Sequence, residues 1–355
     1  MATTTEVISF ARGVPAPECL PEEELADCAR TVLERDGKTI LSYGTGAGYT
    51  PLRELIAEWF KVQPQQVLIT NGGLQGFVLL TQHYGQGQTV YVESPTYDRP
   101  LKILAENGLT VVPMQMDDQG LIPSAVEAAL RANPLPAFIY TIPTFQNPSG
   151  RTMPADRRQK IADYAKSAGT LILEDDPYGL VRFEGEAPPS IFDLAPETTI
   201  YASSFSKTVS PGLRVGWYIV PENMAAPLIE RANSTYISPV LLGEAVVYEF
   251  IRRGSFEPNL VRVRELLKER RDAMLEALDK HLSGARWSRP EGGYFIWLEL
   301  PEGASAKQVL ERAQGVTAVL GTDFGGGPNS LRLAYSFVSP DEIDAGVARL
   351  ADAVG

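Results

Sequence analysis

From about residue 50 to residue 220 the apolar and polar positions change period again and again. "PLRELIAEWFKV" carries apolar residues at helical spacing behind an opening proline, "VLIT" is an apolar run of strand length, and "GGLQGFVLLTQHY" returns to the helical period. The runs "TVYVESP", "LTVVPM", "AFIYTIP", "LILEDD" and "TIYASS" then follow, separated by helical stretches such as "MPADRRQKIADYAKSAG". Strands alternating with helices predict an α/β layered fold around a mostly parallel sheet.

Beyond Pro221 the pattern changes. A long charged and apolar helix, "EPNLVRVRELLKERRDAMLEALDKHL", leads into strands "GYFIWLEL" and "SLRLAYSF" and a last helix, "PDEIDAGVARLADAV". Helix followed by strands predicts a smaller α+β unit. The expected organisation is a large domain over 40–252 and a small one assembled from the N-terminal arm, 1–39, and the C-terminal part, 253–355. No internal repeat or low-complexity segment interrupts it.

Composition narrows the chemistry. The chain has 355 residues, 44% of them hydrophobic, and a formal net charge of −12, so it can bury a substantial core but presents no basic face for nucleic acid or an anionic membrane. Two cysteines cannot build a disulfide framework, and no run of about twenty apolar residues occurs. The opening "MATTTEVISF" lacks the basic start and apolar stretch of an export signal, so a cytoplasmic location is expected. With only His83 and His281, and no Cys or His pair at ligand spacing, neither a metal site nor a serine-histidine triad is expected.

Ligands of such sheets gather beyond the carboxyl ends of the strands, where Asn71 to Gln75, Tyr97, Asn147, Asp175 to Tyr178 and Ser203 to Lys207 fall. Singly, each has an ordinary explanation: "NGGLQG" as a helix cap, "EDDPYG" as an acidic turn, Lys207 as a solvated amine, Tyr97 as core. Together they answer the needs of a cofactor bearing an aldehyde, a phosphate and a pyridine nitrogen. Lys207 is the amine placed to bond the aldehyde. Gly72, Gly73 and Leu74 open a helix, and with Ser204, Ser206 and Arg214 they suit a phosphate. Asp175 could hold the ring nitrogen protonated, and Tyr97 could stack on the ring.

The segments "SSFSKTVSPGLRVGW", "PTFQNPSG" and "DDPYG" resemble the lysine, asparagine-proline-x-glycine and aspartate-x-x-tyrosine motifs of the fold-type I pyridoxal-phosphate enzymes, class I/II aminotransferases. The likeness runs from about residue 8 to the C-terminus. "ISFARGVPAPE" and "YGTGAGYTPLR" bring it nearest to the 2-aminoadipate and broad-specificity branch. It implies a transaminase using pyridoxal 5'-phosphate, with an L-amino acid and a 2-oxo acid, 2-oxoglutarate foremost, exchanging the amino group by a ping-pong route. It implies that Lys207 carries the cofactor, that Asn147 and Tyr178 bond the ring hydroxyl, and that Arg332 grips the substrate α-carboxylate. Gly13 and Arg12 are expected on the substrate side of the pocket, Arg12 selecting a distal carboxylate. A homodimer is implied in which Tyr43 reaches the neighbouring subunit's phosphate. Other reactions of the same scaffold, such as β-elimination, decarboxylation or oxidation, share Lys207, Asp175 and Arg332 and stay open at this point. A cofactor-sensing regulator is the non-enzymatic alternative; the acidity of the chain and the want of a DNA-binding segment weigh against it.

Overall fold

A computed structural model describes residues 7–132 and 134–354; residues 1–6, on which part of the export-signal expectation rests, lie outside them. In chain order the strands are β1 (Ile8–Ser9), β2 (Val67–Thr70), β3 (Thr89–Ser94), β4 (Thr110–Asp117) and β5 (Gly120–Leu121). Then come β6 (Phe138–Thr141), β7 (Leu171–Asp175), β8 (Thr199–Ser204) and β9 (Gly216–Ile219). The last five are β10 (Arg286–Trp287), β11 (Phe295–Glu299), β12 (Val316–Thr317), β13 (Val319–Leu320) and β14 (Ser330–Ala334).

Eight strands form the main sheet in the order β2-β9-β8-β7-β6-β3-β4-β5. The central pairings, β8 with β7, β7 with β6, β6 with β3 and β3 with β4, are all parallel, so their carboxyl ends open on one edge. β3, β6, β7 and β8 are buried along most of their length, which is why they read as apolar runs rather than alternations, whereas β4, towards the sheet edge, is half-exposed with Met114 its one buried residue. β9 returns antiparallel between β8 and β2. It had no separate signal in "RVGWYIV", because a four-residue apolar run carries no period of its own.

The predicted helices appear as Thr50–Phe60 with proline in its first turn, Gly73–Tyr84, Ala155–Ala168, Phe256–His281 and Pro340–Val354. The C-terminal strands make a separate four-stranded antiparallel sheet, β10-β11-β14-β13, while β1 pairs with β12.

The N-terminal arm divides between two cores rather than following the C-terminal unit throughout. Ile8, Phe10 and Cys19 pack with Phe295, Leu331 and Ile343. The helix Glu22–Ile40 instead sets Cys28 and Val32, four residues apart on one face, against Leu52, Val67 and Leu241 beside the main sheet. Both cysteines are free and buried, and burial raises their thiol pKa values.

Candidate active site

A cavity of about 340 Å³ lies at the carboxyl edge of the main sheet. Its walls include Gly13, Gly73, Leu74, Tyr97, Asn147, Asp175, Tyr178, Ser204, Lys207, Arg214 and Arg332. The cavity thus unites the expected site residues apart from Arg12, Tyr43 and Gly72, the last immediately before Gly73 at the wall. A larger cavity of about 680 Å³ sits between Arg151 and the segment around Arg286 and Arg289. There the cations are already paired, Arg151 with Asp118 at 2.5 Å, Arg286 with Glu299 at 2.8 Å and Arg289 with Asp279 at 2.5 Å. No lysine lines it.

β8 ends at Ser204, and a turn brings Lys207 over the edge of the sheet. Its Nζ donates to the Gly13 carbonyl at 2.9 Å and lies 5.2 Å from the Tyr294 ring centroid. Burial, aided by the positive charges of Arg332 and Arg214, lowers the amine pKa to about 8. A neutral amine is a nucleophile and a base, whereas a solvated lysine is neither near neutral pH.

Asp175 ends the neighbouring strand, β7. Its Oδ2 accepts from the Tyr140 hydroxyl at 2.8 Å, and burial pushes the carboxyl pKa up to about 7 in spite of that bond. Asp176 and Glu93 add further negative charge nearby. A carboxylate so placed gains most from a cation brought beside it. Asp176 itself faces away from the cavity, accepting from Tyr201 Oη at 2.9 Å and from the Gly179 amide at 2.8 Å.

The helix Gly73–Tyr84 begins at the cavity wall. Gly72 has φ 83° and ψ 160°, a conformation restricted to glycine, and a Cβ there would collide with Arg214 Nη2. That bare backbone leaves room for the guanidinium, which donates to the carbonyls of Asn71 at 3.1 Å and Pro211 at 3.2 Å. Ser204 and Ser206 complete this end, their hydroxyls 2.8 Å apart. Helix N-H groups, two hydroxyls and an arginine make a cradle for a phosphate.

Arg332 comes from β14 of the smaller sheet. Nη1 donates to Asn147 Oδ1 at 3.0 Å and Nη2 to the Ala11 carbonyl at 3.0 Å, while buried Nε has no partner. The guanidinium lies 4.2 Å from the Phe295 ring centroid and 4.9 Å from that of Phe324. Asn147, in the loop after β6, therefore joins the two sheets at the cavity. Tyr178 is buried, and its hydroxyl pKa is raised by that burial; Tyr97, half-buried, precedes the helix Asp98–Glu106.

Two expected residues lie elsewhere. Arg12 is exposed and stacks on Phe337, 4.1 Å from the ring centroid, because a guanidinium covers an aromatic face there without losing its water. Tyr43 is 83% exposed and outside this chain's cavity. The sequence reading also missed Tyr140, Arg99 and Phe295. Tyr140 could be found only from the lateral order of β6 and β7, which no local period records.

The donor set fits pyridoxal phosphate: a phosphate cradle at one end, a buried carboxylate and a poised amine between, and an arginine with an unpaired Nε at the other. A layered α/β sheet carrying such a site defines the protein as an enzyme of group transfer to and from amines. The chain belongs to the aminotransferase class I and II family, whose model matches residues 5–350. It is 36% identical to a 2-aminoadipate transaminase of Thermus thermophilus, over 98% of this chain and 90% of that one. It is 33% identical to aromatic-amino-acid aminotransferase 1 of Thermococcus litoralis, over 100% of this chain and 89% of the relative. Among solved structures, the α-aminoadipate aminotransferase of Thermus thermophilus, complexed with N-(5'-phosphopyridoxyl)-L-leucine, superposes with TM-score 0.93 at 36% identity. That match covers 98% of this chain and 92% of the other.

Proposed function

We propose that the protein is a pyridoxal-phosphate-dependent aminotransferase, moving an amino group between an L-amino acid and a 2-oxo acid, with 2-oxoglutarate the acceptor in a ping-pong sequence. The observation that carries this reading is Lys207 in its surroundings. A buried amine with a pKa near 8 shares one cavity with a carboxylate, a phosphate cradle and the unpaired Nε of Arg332.

Bound there, pyridoxal phosphate supplies an aldehyde that exchanges amines and a ring that withdraws electrons from the substrate α-carbon. Lys207 attaches it and, once released, takes and returns a proton at Nζ. Asp175 holds a proton on the ring nitrogen, and Asn147 and Tyr178 bond the ring hydroxyl. Tyr97 stacks on the ring. Gly73, Leu74, Ser204 and Arg214 hold the phosphate. Arg332 forks the α-carboxylate, with Gly13 and Asn147 at its side.

The same reading includes a homodimer. Tyr43 stands beside Leu41, 70% exposed, and its loop is tied through Gly44 N to Ser238 Oγ at 3.1 Å, next to exposed Ile237 and Val240. Such an apolar patch beside a cavity suits a second copy whose site Tyr43 completes. Residues 40–252 would then serve as the cofactor-binding body. No helix among the described residues is long and apolar enough to cross a membrane. The two free thiols and the acidic composition support a cytoplasmic enzyme acting on small molecules rather than on nucleic acid.

The test mixes the holoenzyme with a panel of L-amino acids and follows the cofactor absorbance and the 2-oxo acid formed. Absorbance lost to a donor should return on adding 2-oxoglutarate. Release of ammonia or carbon dioxide in place of that return would assign another reaction to the site.

A further inference from the structure

Four cations line the cavity: Lys207, Arg214, Arg332 and Arg99. The proposed function employs the first three and leaves Arg99 without a task. Arg99 stands in the first turn of the helix Asp98–Glu106, two residues after Tyr97, with a side chain 60% exposed. It therefore belongs to the rim.

Neither the helix nor an ion pair accounts for it. A cation in the first helical turn opposes the helix dipole, so helix stability does not favour arginine there. Among the described residues its ion-pair contact is with Asp98, at 3.9 Å, beyond hydrogen-bond reach. Asp98 is held instead by Lys102 Nζ at 2.7 Å. Asp98, which also lines the cavity, is thus engaged by Lys102 from outside it, leaving the guanidinium donors of Arg99 unengaged.

Arg99 also shares a target with Arg332. Both positive charges act on the Tyr97 hydroxyl, and Asp98 acts on Arg332. The two guanidinium groups thus lie about the same tyrosine, one from the buried wall and one from the rim. The cavity they share also has an apolar lining: Phe77, Pro100, Ile142, Pro177 and Phe295. A substrate whose α-carboxylate meets Arg332 finds one unengaged cation at the rim. Arg12, stacked on Phe337, cannot serve without leaving that ring.

We propose that Arg99 recognises the second carboxylate of dicarboxylic substrates in this cavity, an inference that rests on the aminotransferase reading. The ligands of this class are 2-oxo diacids and the matching acidic amino acids. Because the contact is exposed, it should weaken as salt rises.

The test compares glutarate with pentanoate, equal in length and differing by one carboxylate, as ligands of the holoenzyme in calorimetric titrations. The wild type should prefer glutarate. Arg99→Ala, which suits an exposed helical position, should lose about fivefold to thirtyfold in glutarate affinity, the range of a partly screened charge-assisted bond. It should leave pentanoate unchanged, and Arg99→Lys should keep part of the preference. Equal losses for both ligands, or a wild type without preference, would overturn the proposal. Turnover in the same preparations separates the two readings. Arg99-dependent glutarate binding without amino transfer to any 2-oxo acid would uphold the rim site and sink the reaction. Amino transfer with an Arg99→Ala profile equal for glutamate and leucine would do the reverse.

Discussion

The Tyr140 hydroxyl donates to Asp175 Oδ2 across two adjacent parallel strands, at 2.8 Å. Among the described residues it is the one hydrogen bond given to a carboxylate that burial has pushed to a pKa near 7. Desolvation outweighs the tyrosine, so without a cofactor the buried charge is a burden on the fold.

A pH dependence follows. A folded-state pKa raised from 3.8 to about 7 means that the folded form holds a proton which the unfolded form has released. Stability of the cofactor-free protein should therefore increase as pH falls from 8 towards 5. Glu174, raised to about 7, and Glu244, raised to about 8, act in the same direction. His83, whose burial lowers its pKa, opposes them below its ordinary 6.5. Lys207, lowered to about 8, is charged in both states across most of the window and adds little slope. Asp175→Asn keeps an acceptor for Tyr140 and should reduce the dependence of Tm on pH between 5 and 8, leaving the share due to Glu174 and Glu244. An unchanged slope would mean that Asp175 is not the titrating group.

The same substitution tests the ring partner. Asp175→Asn should retain the cofactor yet slow turnover at least about a hundredfold, as expected if the carboxylate supplies a few kcal/mol to the transition state. Asp176→Asn should act through the fold, because Asp176 anchors Tyr201 and the Gly179 amide outside the cavity. If Asp176→Asn were the slower enzyme at equal stability, the two roles would be reversed.

Lys207 should be the residue labelled when the holoenzyme is reduced with borohydride and its peptides are mapped. Its carbonyl is bonded by Tyr294 Oη at 3.1 Å and its Nζ by the Gly13 carbonyl at 2.9 Å, so the side chain is fixed before any cofactor arrives. Exposed Lys166, paired with Glu197 at 2.7 Å, has neither burial nor a lowered pKa. A pyridoxyl group on Lys166 or Lys38 would remove the basis of the site.

Gly72→Ala should weaken both fold and cofactor binding. Its backbone at φ 83° is left-handed, and the new Cβ would meet the Arg214 guanidinium. The strain corresponds to about 1–3 kcal/mol of unfolding free energy. Displacing one charge-assisted phosphate contact corresponds to about a tenfold to hundredfold loss of affinity. Equal losses for pyridoxal and pyridoxal phosphate would show that the phosphate end is not where Arg214 acts.

Residues at strand ends were legible because the strands themselves are. Asp175 closes "LILED" and Lys207 follows "TIYASS", so a parallel sheet puts both on one edge. Contacts between strands or between sheets were not. Tyr140 meets Asp175 through lateral strand order, and Arg332 meets Asn147 where the two sheets touch, 185 residues apart in the chain. The position of Arg12 was not legible for a related reason: its neighbour Gly13 lines the cavity, but nothing in "FARGV" records the contact of the guanidinium with Phe337. Arg99 escaped notice because a charged residue in a helix's first turn reads as solvated surface.

Whether two chains complete one site can be decided by mixing an inactive variant with an impaired one. Lys207→Ala removes the amine from its own subunit's cavity, and Tyr43→Phe removes a hydroxyl that the dimer reading sends to the other subunit. Tyr43→Phe homodimers should bind the cofactor more weakly and turn over more slowly than wild type. In a randomised equal mixture half the dimers are hybrids. Each hybrid carries one cavity lacking both groups and one with both, so about a quarter of all sites should be intact. Activity measured at a cofactor concentration too low to saturate Tyr43→Phe should recover toward that fraction. Subunit exchange must be verified separately, by mass spectrometry of differently tagged chains. Recovery fails if Tyr43 serves its own subunit: the Lys207→Ala chain would then stay dead and the Tyr43→Phe chain stay impaired in every pairing. Proven exchange without recovery, or a fully active Tyr43→Phe homodimer, would show that the exposed tyrosine takes no part in the neighbour's phosphate site.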